Sequence, residues 1–394
     1  MKILFIDTVP IRRGAQIFIS ELSSFLVQSG EKTKIIYMYQ YQKGSDTVSL
    51  PHNSRVLGGE KHSALEKVPG LNPALVRKLL KEIKAFSPDI IVSNGSRTLK
   101  YSALIRQLYT GNTKWIARWI DDAVFWNPGI ASKCIYRNLI MSQFDAAIGV
   151  SQDSLDSMIR HYGFKKPTKV IRRVFNPNKF KNAPTRAAAR RNLGLCETDE
   201  VLLFLGNLTS QKRPDRFLEI VKSLAEIRPN LKALIVGDGP MRMDLEYQVA
   251  SIKSQELKIH KSKKSSVLCL DTNVSFTGYQ QDVSSYLSAA DILILTSDTE
   301  GLPGVVLEAA HFEVPTIATE VGGIAECLID GETGYLVSDR SIDAFCQKIN
   351  QLFDHPIQRT QLGQNAKKFT SQHFRMDQVA HQYLDFFQQI INQP

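Results

Sequence analysis

Asp291-Ile292-Leu293-Ile294-Leu295-Thr296-Ser297-Asp298-Thr299-Glu300-Gly301-Leu302-Pro303-Gly304-Val305-Val306-Leu307-Glu308 is the most informative stretch of this chain. Its apolar run, ending in a polar turn, has the pattern of a buried parallel strand. The glycines and proline that follow predict a tight turn, then a helix over Val305–Phe312. Open α/β sheets bind ligands beyond the carboxyl ends of such strands. The free N–H groups of the new helix favour phosphate there. The carboxylates of Glu300 and Glu308 would repel a phosphate but suit neutral hydroxyls. The pair therefore suggests a ligand with both phosphates and sugars. A Glu-x7-Glu spacing across a helix start also suits solvated or capping carboxylates.

The same alternation extends in both directions. In the second half, Val201–Leu205, Lys232–Val236, Val274–Thr277 and Thr316–Thr319 read as strands. Pro214–Arg228, Met241–Lys253, Val283–Ala289 and Ile324–Asp330 read as helices. Ser262–Asn273 reads as a long polar loop. Ile342–Phe353 and a long helix over Met376–Asn392 close the chain. The first half offers strands at Lys2–Ile6, Thr33–Tyr39, Ile90–Ser93, Lys114–Arg118, Ala146–Val150 and Lys169–Arg172. Between them lie helices at Gln16–Gln28, Pro73–Phe86, Tyr101–Tyr109, Ile130–Gln143 and Gln152–His161. Strand–helix alternation means a parallel, doubly wound sheet. Asn176–Thr185, with two prolines, reads as the connection between two such sheets. A chain of 394 residues is long enough for two domains.

Composition narrows the class. No apolar run approaches the ~20 residues that span a bilayer. The opening Met1–Asp7 reads as a first strand and lacks the length of a signal peptide, so a cytoplasmic protein is expected. The five cysteines, Cys134, Cys196, Cys269, Cys327 and Cys346, are scattered without a Cys-x-x-Cys pair, which disfavours a disulfide framework or a zinc site. Up to Lys181 there are 28 Lys and Arg against 13 Asp and Glu; beyond it there are 21 against 26. The basic first half suggests an anionic partner. No basic motif interleaved with aromatics supports nucleic acid as that partner.

Several glycine-rich turns follow strands. Gly14, within Arg12-Arg13-Gly14-Ala15-Gln16, precedes a helix and lets backbone approach a phosphate. Gly206-Asn207-Leu208 follows a strand, and Lys212-Arg213-Pro214-Asp215 opens the next helix. Lys212 is a candidate diphosphate contact, and Arg213 could add a second charge. An exposed Lys-Arg pair at a helix start is the plainer reading. Gly237-Asp238-Gly239-Pro240 is a tight turn in which a structural role is favoured.

Taken in order, these motifs continue through Val274-x-Phe276-x-Gly278, Ala290-Asp291, Ser297, Glu300–Pro303, Glu308-Ala309, Pro315, Glu320–Gly323, Glu326, Gly331 and Gly334–Val337. The set resembles the donor domain of the retaining, nucleotide-sugar-dependent glycosyltransferases of family 4, over about 130 residues. Gly14-Ala15, Val150-Ser151 and Asn176-Pro177 extend the resemblance into the first half. It implies the α/β GT-B fold: two doubly wound parallel-sheet, Rossmann-like domains with an interdomain cleft. The implied division is 1–177 (acceptor side), 178–370 (nucleotide-sugar donor side) and 371–394, a helix crossing back to the first domain.

The resemblance also assigns roles. Glu308 would hold the ribose hydroxyls, and Glu300 would lie by the donor sugar. Gly301, Leu302, Gly304 and Val305 would offer backbone N–H groups to sugar or diphosphate, while Pro303, within the same run, has none to offer. Lys212 would pair with the diphosphate, and Gly14 would admit the N-terminal loop to it. The base would sit near Gly237–Pro240 and the segment around Tyr279. Two departures stand out. The family usually has arginine where this chain has Asn207, so either Arg213, Arg12 or Arg13 compensates or turnover is impaired. Many relatives carry His-Asp after the fourth strand; here Arg118-Trp119-Ile120-Asp121-Asp122 leaves only Asp121 or Asp122 as the acidic candidate.

The implied chemistry is front-face displacement. The diphosphate leaves against Lys212 and helix N–H groups, and one of its oxygens helps deprotonate the acceptor. Positive charge stabilises that leaving group, so no metal and no further cofactor is expected. The expected donor is a UDP-sugar carrying a hexose or N-acetylhexosamine, with GDP-mannose as the second choice. The expected acceptor is a glycan, lipid-linked or polysaccharide. The basic Pro73–Phe86 helix (Arg77, Lys78, Lys81, Lys84) and the aromatics Trp119, Phe125 and Trp126 suit peripheral contact with an anionic membrane at its inner face. Rival readings are a non-catalytic nucleotide-sugar-binding protein and a sugar-nucleotide epimerase or phosphorylase on the same fold.

Overall fold

The apolar runs of each half join parallel neighbours. The computed structural model describes all residues except 11–13, 41–50, 60–71, 121, 127–128, 261–272 and 394. The chain divides into two compact units, Met1–Val174 with Phe374–Pro394, and Phe175–His373. The first holds β1 (Lys2–Asp7), β2 (Lys32–Tyr39), β3 (Ser54–Gly59), β4 (Ile90–Asn94), β5 (Lys114–Trp119), β6 (Ala146–Gly149) and β7 (Thr168–Val170), in the order β3-β2-β1-β4-β5-β6-β7. The second holds β8 (Glu200–Leu205), β9 (Leu231–Val236), β10 (Val274–Gly278), β11 (Ile292–Leu295), β12 (Thr316–Thr319) and β13 (Gly334–Val337), in the order β10-β9-β8-β11-β12-β13. The strand order reverses between β1 and β4 in one sheet and between β8 and β11 in the other. These are the places where a crevice opens at the carboxyl edge.

Period-two alternation builds the first unit. Along β1, Leu4 and Ile6 face one core while Ile3 and Phe5 face the other. The second of these cores is closed by Phe18, Ile19, Leu22 and Leu26 of the helix Gly14–Gln28. It is also closed by Val379, Tyr383, Phe386, Phe387 and Ile390 of the C-terminal helix Met376–Ile391. The helix Pro73–Phe86 begins where the sequence predicts, capped by Asn72 Oδ1 on the amide of Ala74 at 3.0 Å. It buries Leu75, Val76, Leu79 and Ile83, so its apolar stripe faces its own core.

The second unit is fastened at the amino ends of its strands by Asp291. This carboxylate accepts from Arg190 at 2.8 Å, Arg186 at 2.6 Å and the amide of Val201 at 2.8 Å. The last bond ties the entry of β11 to the entry of β8. Asn176–Thr185 is more than a tether: Pro177–Phe180 forms a 3-10 turn, and buried Phe180 stacks with Phe175 and His311.

Five elements differ from the sequence expectation. Ile324–Asp330 is no helix; a 3-10 turn over Gly322–Glu326 stands there, because Gly322 and Gly323 do not favour a longer one. Ile130–Gln143 is broken into an α-helix over Ile130–Ile135, a π turn over Tyr136–Ile140 and a 3-10 turn over Met141–Gln143. β3 and β13 carry glycine, which hides their strand character. The helix Pro356–His373 buries Leu362, Gly363, Ala366 and Thr370, small residues for the most part, so no apolar stripe announces it. The expected loop Ser262–Asn273 falls outside the described residues except for Asn273.

Replacing Asp291 by Ala leaves the buried Arg190 guanidinium without its carboxylate. The expected cost is about 3–5 kcal/mol, read as a lower urea midpoint for the second unit.

Candidate active site

Two loops meet at the β8/β11 reversal. The first leaves β8 at Leu205, carries Gly206, Asn207 and Lys212, and enters the helix Pro214–Ala225. The second leaves β11 at Leu295 and enters the helix Gly304–His311. They are stitched together at several points. Asp298 N donates to the Gln211 carbonyl at 2.8 Å, and Gln211 Nε2 donates to the Thr299 carbonyl at 3.1 Å. Thr296 Oγ1 donates to the carbonyl of Arg213 at 2.8 Å. Arg216, buried in the Pro214–Ala225 helix, donates to the Thr296 carbonyl at 2.6 Å and to Asp298 at 3.1 Å.

The result is a direct ion pair. Lys212 Nζ lies 2.5 Å from Glu300 Oε1, and Ser297 Oγ donates to the same oxygen at 2.7 Å. Glu300 is only 6% exposed, whereas Lys212 is partly open. Beneath the carboxylate the backbone is clamped. Gly323 N donates to the Glu300 carbonyl at 3.2 Å. Gly322 has φ +54°, and a Cβ there would lie 1.8 Å from that carbonyl oxygen. A side chain at 322 would displace the glutamate.

The helix Gly304–His311 starts with Pro303 as N-cap, which offers no side-chain oxygen. The first helical amides, of Gly304 and Val305, have no intrahelical acceptor and are disposed for an anion. One turn further on, Glu308 Oε1 accepts from Lys179 Nζ at 2.7 Å. Gly237 serves the crevice by shape: with φ +139°, a Cβ there would lie 1.9 Å from the Gly206 carbonyl oxygen. Only glycine lets the turns after β8 and β9 pack this closely.

The sequence candidates are therefore divided. Lys212, Arg213, Asn207, Glu300, Gly301, Leu302, Pro303, Gly304, Val305, Glu308 and Gly237 all lie on the second unit. Asn207 is exposed. Arg213 is committed elsewhere: at φ +51° it grips Asp215 at 2.8 Å and Asp298 at 3.4 Å, and the Asp215 carboxylate holds its guanidinium well above the usual range. Gly14 and Asp122 belong to the first unit. Gly14 opens the helix Gly14–Gln28, and a Cβ there would meet the Arg173 guanidinium at 2.8 Å. Asp122 accepts from Ser157 Oγ at 2.6 Å and from Val124 N at 2.8 Å, the bonds of a helix cap. Asp121, Arg12, Arg13 and the Trp126 side chain lie outside the described residues. Trp119 is buried. The sequence did not single out Lys179, Gln211 or Arg216. Only the repeated basic residue in Lys212-Arg213-Pro214-Asp215-Arg216 hinted at the last.

Comparison with known proteins agrees with this geometry. A family model for glycosyltransferase family 4 matches residues 12–179, and one for glycosyl transferases group 1 matches residues 185–369. Anabaena HepE, solved in complex with UDP, aligns with TM-score 0.77 at 21% identity over 99% of this chain and 100% of that one. Sucrose-phosphate synthase from Thermosynechococcus elongatus aligns with TM-score 0.80 at 21% identity over 99% of each chain. The chain has the GT-B fold of the glycosyltransferases. Among curated relatives, N-acetyl-α-D-glucosaminyl L-malate synthase of Bacillus anthracis is 26% identical over 255 residues. That match covers 62% of this chain and 61% of the relative, so it spans about three fifths of each. Among the described residues of this chain no helix is long and apolar enough to cross a membrane.

Two outcomes test the site's construction. Gly322→Ala should destabilise the second unit by about 1–3 kcal/mol and weaken nucleotide-sugar binding, read by thermal unfolding with and without ligand. His311 ends the Gly304–His311 helix against Phe175, Phe180 and Phe312. Burial, with Lys367 nearby, pulls its imidazole below the ordinary histidine value. The unfolded chain then binds more protons as pH falls through the ordinary histidine range, so stability should drop there. His311→Phe should flatten that part of the Tm-against-pH curve.

Proposed function

We propose that this protein transfers a hexose or N-acetylhexosamine from a nucleoside diphosphate sugar to a glycan or lipid-linked acceptor, with retention at the anomeric carbon. The observation that carries the reading is the pairing of Lys212 with Glu300 across the β8/β11 reversal. A cation and a hydroxyl-binding carboxylate stand side by side, next to a helix start. That is the donor set a sugar joined to a diphosphate requires. Lys212 turns to the diphosphate when donor binds, and the Gly304 and Val305 amides share its charge. Glu300, oriented by Ser297, accepts from sugar hydroxyls. Glu308, set by Lys179, accepts from the ribose.

The chemistry follows from this division. The C1–O bond to the diphosphate breaks with its electron pair going to the leaving oxygens, whose growing negative charge Lys212 and the helix amides offset. One of these oxygens takes the acceptor proton, and the acceptor oxygen attacks from the same face. Glu300 is read as a binder of sugar hydroxyls, held by Ser297, while the donor supplies its own leaving group. A UDP-sugar is the favoured donor: HepE, similar in fold, was solved with UDP and with UDP-glucose. The second reading, a nucleotide-sugar binder without turnover, is favoured by one observation. Asn207 is neutral and Arg213 is held by Asp215 and Asp298, which leaves Lys212 as the cation of this loop.

Steady-state kinetics with a responsive UDP-sugar test the assignment. Lys212→Ala should lower kcat about 10²–10³-fold and also lower Tm, because buried Glu300 loses its compensating charge; full turnover would refute it. Glu308→Ala should raise the donor KM about tenfold or more and leave kcat nearly intact. Donor binding with no product or hydrolysis under any acceptor would favour the binder.

A further inference from the structure

The second unit begins with a short stretch laid along the helix Gly304–His311. Asn176 caps the 3-10 turn Pro177–Phe180, its Oδ1 accepting from Asn178 N at 3.1 Å. The amides of Lys179 and Lys181 return to the carbonyls of Asn176 and Asn178 at 3.3 and 3.4 Å. The backbone of the turn is thus closed on itself. Phe180 is buried and held by neighbouring rings. It stacks on Phe175 at 6.2 Å and on His311 at 5.7 Å, and meets Phe312 edge-on at 5.0 Å. His311 and Phe312 follow Glu308 by three and four residues, so they lie on the same helix face as that carboxylate. Phe180 therefore fastens the turn to the face that carries Glu308.

Lys179 precedes Phe180 and is carried to Glu308 by it. Its Nζ lies 2.7 Å from Glu308 Oε1 and 5.0 Å from the centre of the Phe180 ring, between a carboxylate and a π face. Among the described residues no other side chain donates to Glu308. One carboxylate oxygen is held, and the other keeps its capacity to accept. The Lys179 and Glu308 side chains are 29% and 20% exposed, which leaves the pair within reach of a ligand. A glutamate alone on a helix face samples several rotamers. With Oε1 fixed, Glu308 presents Oε2 in one direction before any ligand arrives, and that ordering is not charged against binding.

We infer that Lys179, placed by Phe180, is a positioning residue that makes this site select nucleotides with an intact ribose: by holding Glu308 Oε1 it aims Oε2 at a ribose hydroxyl. The inference rests on the proposed function, in which Glu308 receives the ribose, and deepens it by assigning sugar discrimination to a residue that does not touch the nucleotide. A carboxylate fixed to accept from a hydroxyl loses that bond when the hydroxyl is missing. A carboxylate free to turn finds water instead, and discriminates less. The opposite role for the same contact is competition, in which Lys179 occupies the carboxylate and must be displaced. The two roles predict opposite changes in nucleotide affinity when Lys179 is removed.

Calorimetric titration of the full chain compares UDP with 2′,3′-dideoxy-UDP, and GDP with its dideoxy form. The ribonucleotide should bind the wild type about tenfold or more tighter than the dideoxy form. Lys179→Met should cut that ratio to about threefold or less by weakening the ribonucleotide, with the dideoxy form binding as before. Lys179→Arg should restore it. Phe180→Leu, which keeps an apolar side chain under the turn, should lower the ratio in the same direction, with Tm reporting folding separately. In a Glu308→Ala background Lys179→Met should change nothing further, because Lys179 acts only through the carboxylate. A merely structural role would lower Tm and leave the ratio intact. The inference is overturned if Lys179→Met keeps the wild-type ratio, or if it binds the ribonucleotide more tightly, as a competitor's removal would. In either case UDP or GDP still binds and the proposed function stands. If neither nucleotide binds the wild-type chain, both fall together.

Discussion

The Lys212–Glu300 ion pair is the interaction on which the proposed site depends. Glu300 is buried because Ser297, Gly322 and Gly323 wrap it, and a buried carboxylate needs a compensating charge. Lys212 provides that charge from the neighbouring strand's loop. The same contact makes both groups available to a ligand that brings a phosphate for one and hydroxyls for the other. Arg216, Gln211 and Thr296 keep the two loops in register, so a ligand meets a site already assembled.

The first unit has the same kind of strand reversal but uses it differently. At the carboxyl ends of β1, β4 and β5, Asp7, Asn94 and Arg118 satisfy one another. Asp7 accepts from Asn94 at 2.6 Å and from Gln16 at 2.9 Å, and Arg118 donates to Asn94 at 2.7 Å. Burial pushes the Asp7 carboxyl up, against the pull of Gln16 and Asn94. Arg118 also donates to Tyr383 at 3.0 Å and lies over the Phe18 ring. The C-terminal helix is thereby fixed to this sheet by polar and apolar contacts together. One reversal is filled with its own polar network, while the other presents partly open groups.

Much of this was legible in the residues because burial on both faces writes strands as apolar runs. β11 and the turn after it follow directly from Asp291–Glu308, and Glu300 and Lys212 stand out as charges at strand ends. What could not be read were partners distant in sequence. Nothing near Arg213 says that Asp298 will share it with Asp215, so it stood as a candidate cation. Nothing near Glu308 announces Lys179. The helix Pro356–His373 packs through small residues, and β3 and β13 carry glycine, so periodicity was silent for each.

The central claim is that Glu300 serves the sugar while Lys212 serves the diphosphate. Calorimetric titration of UDP and UDP-glucose into the wild-type chain and Glu300→Gln tests it most directly. The account predicts that Glu300→Gln binds UDP at least as tightly as the wild type, since Lys212 loses its carboxylate competitor, but no longer gains from the attached sugar. Equal weakening of UDP and UDP-glucose in Glu300→Gln would contradict it.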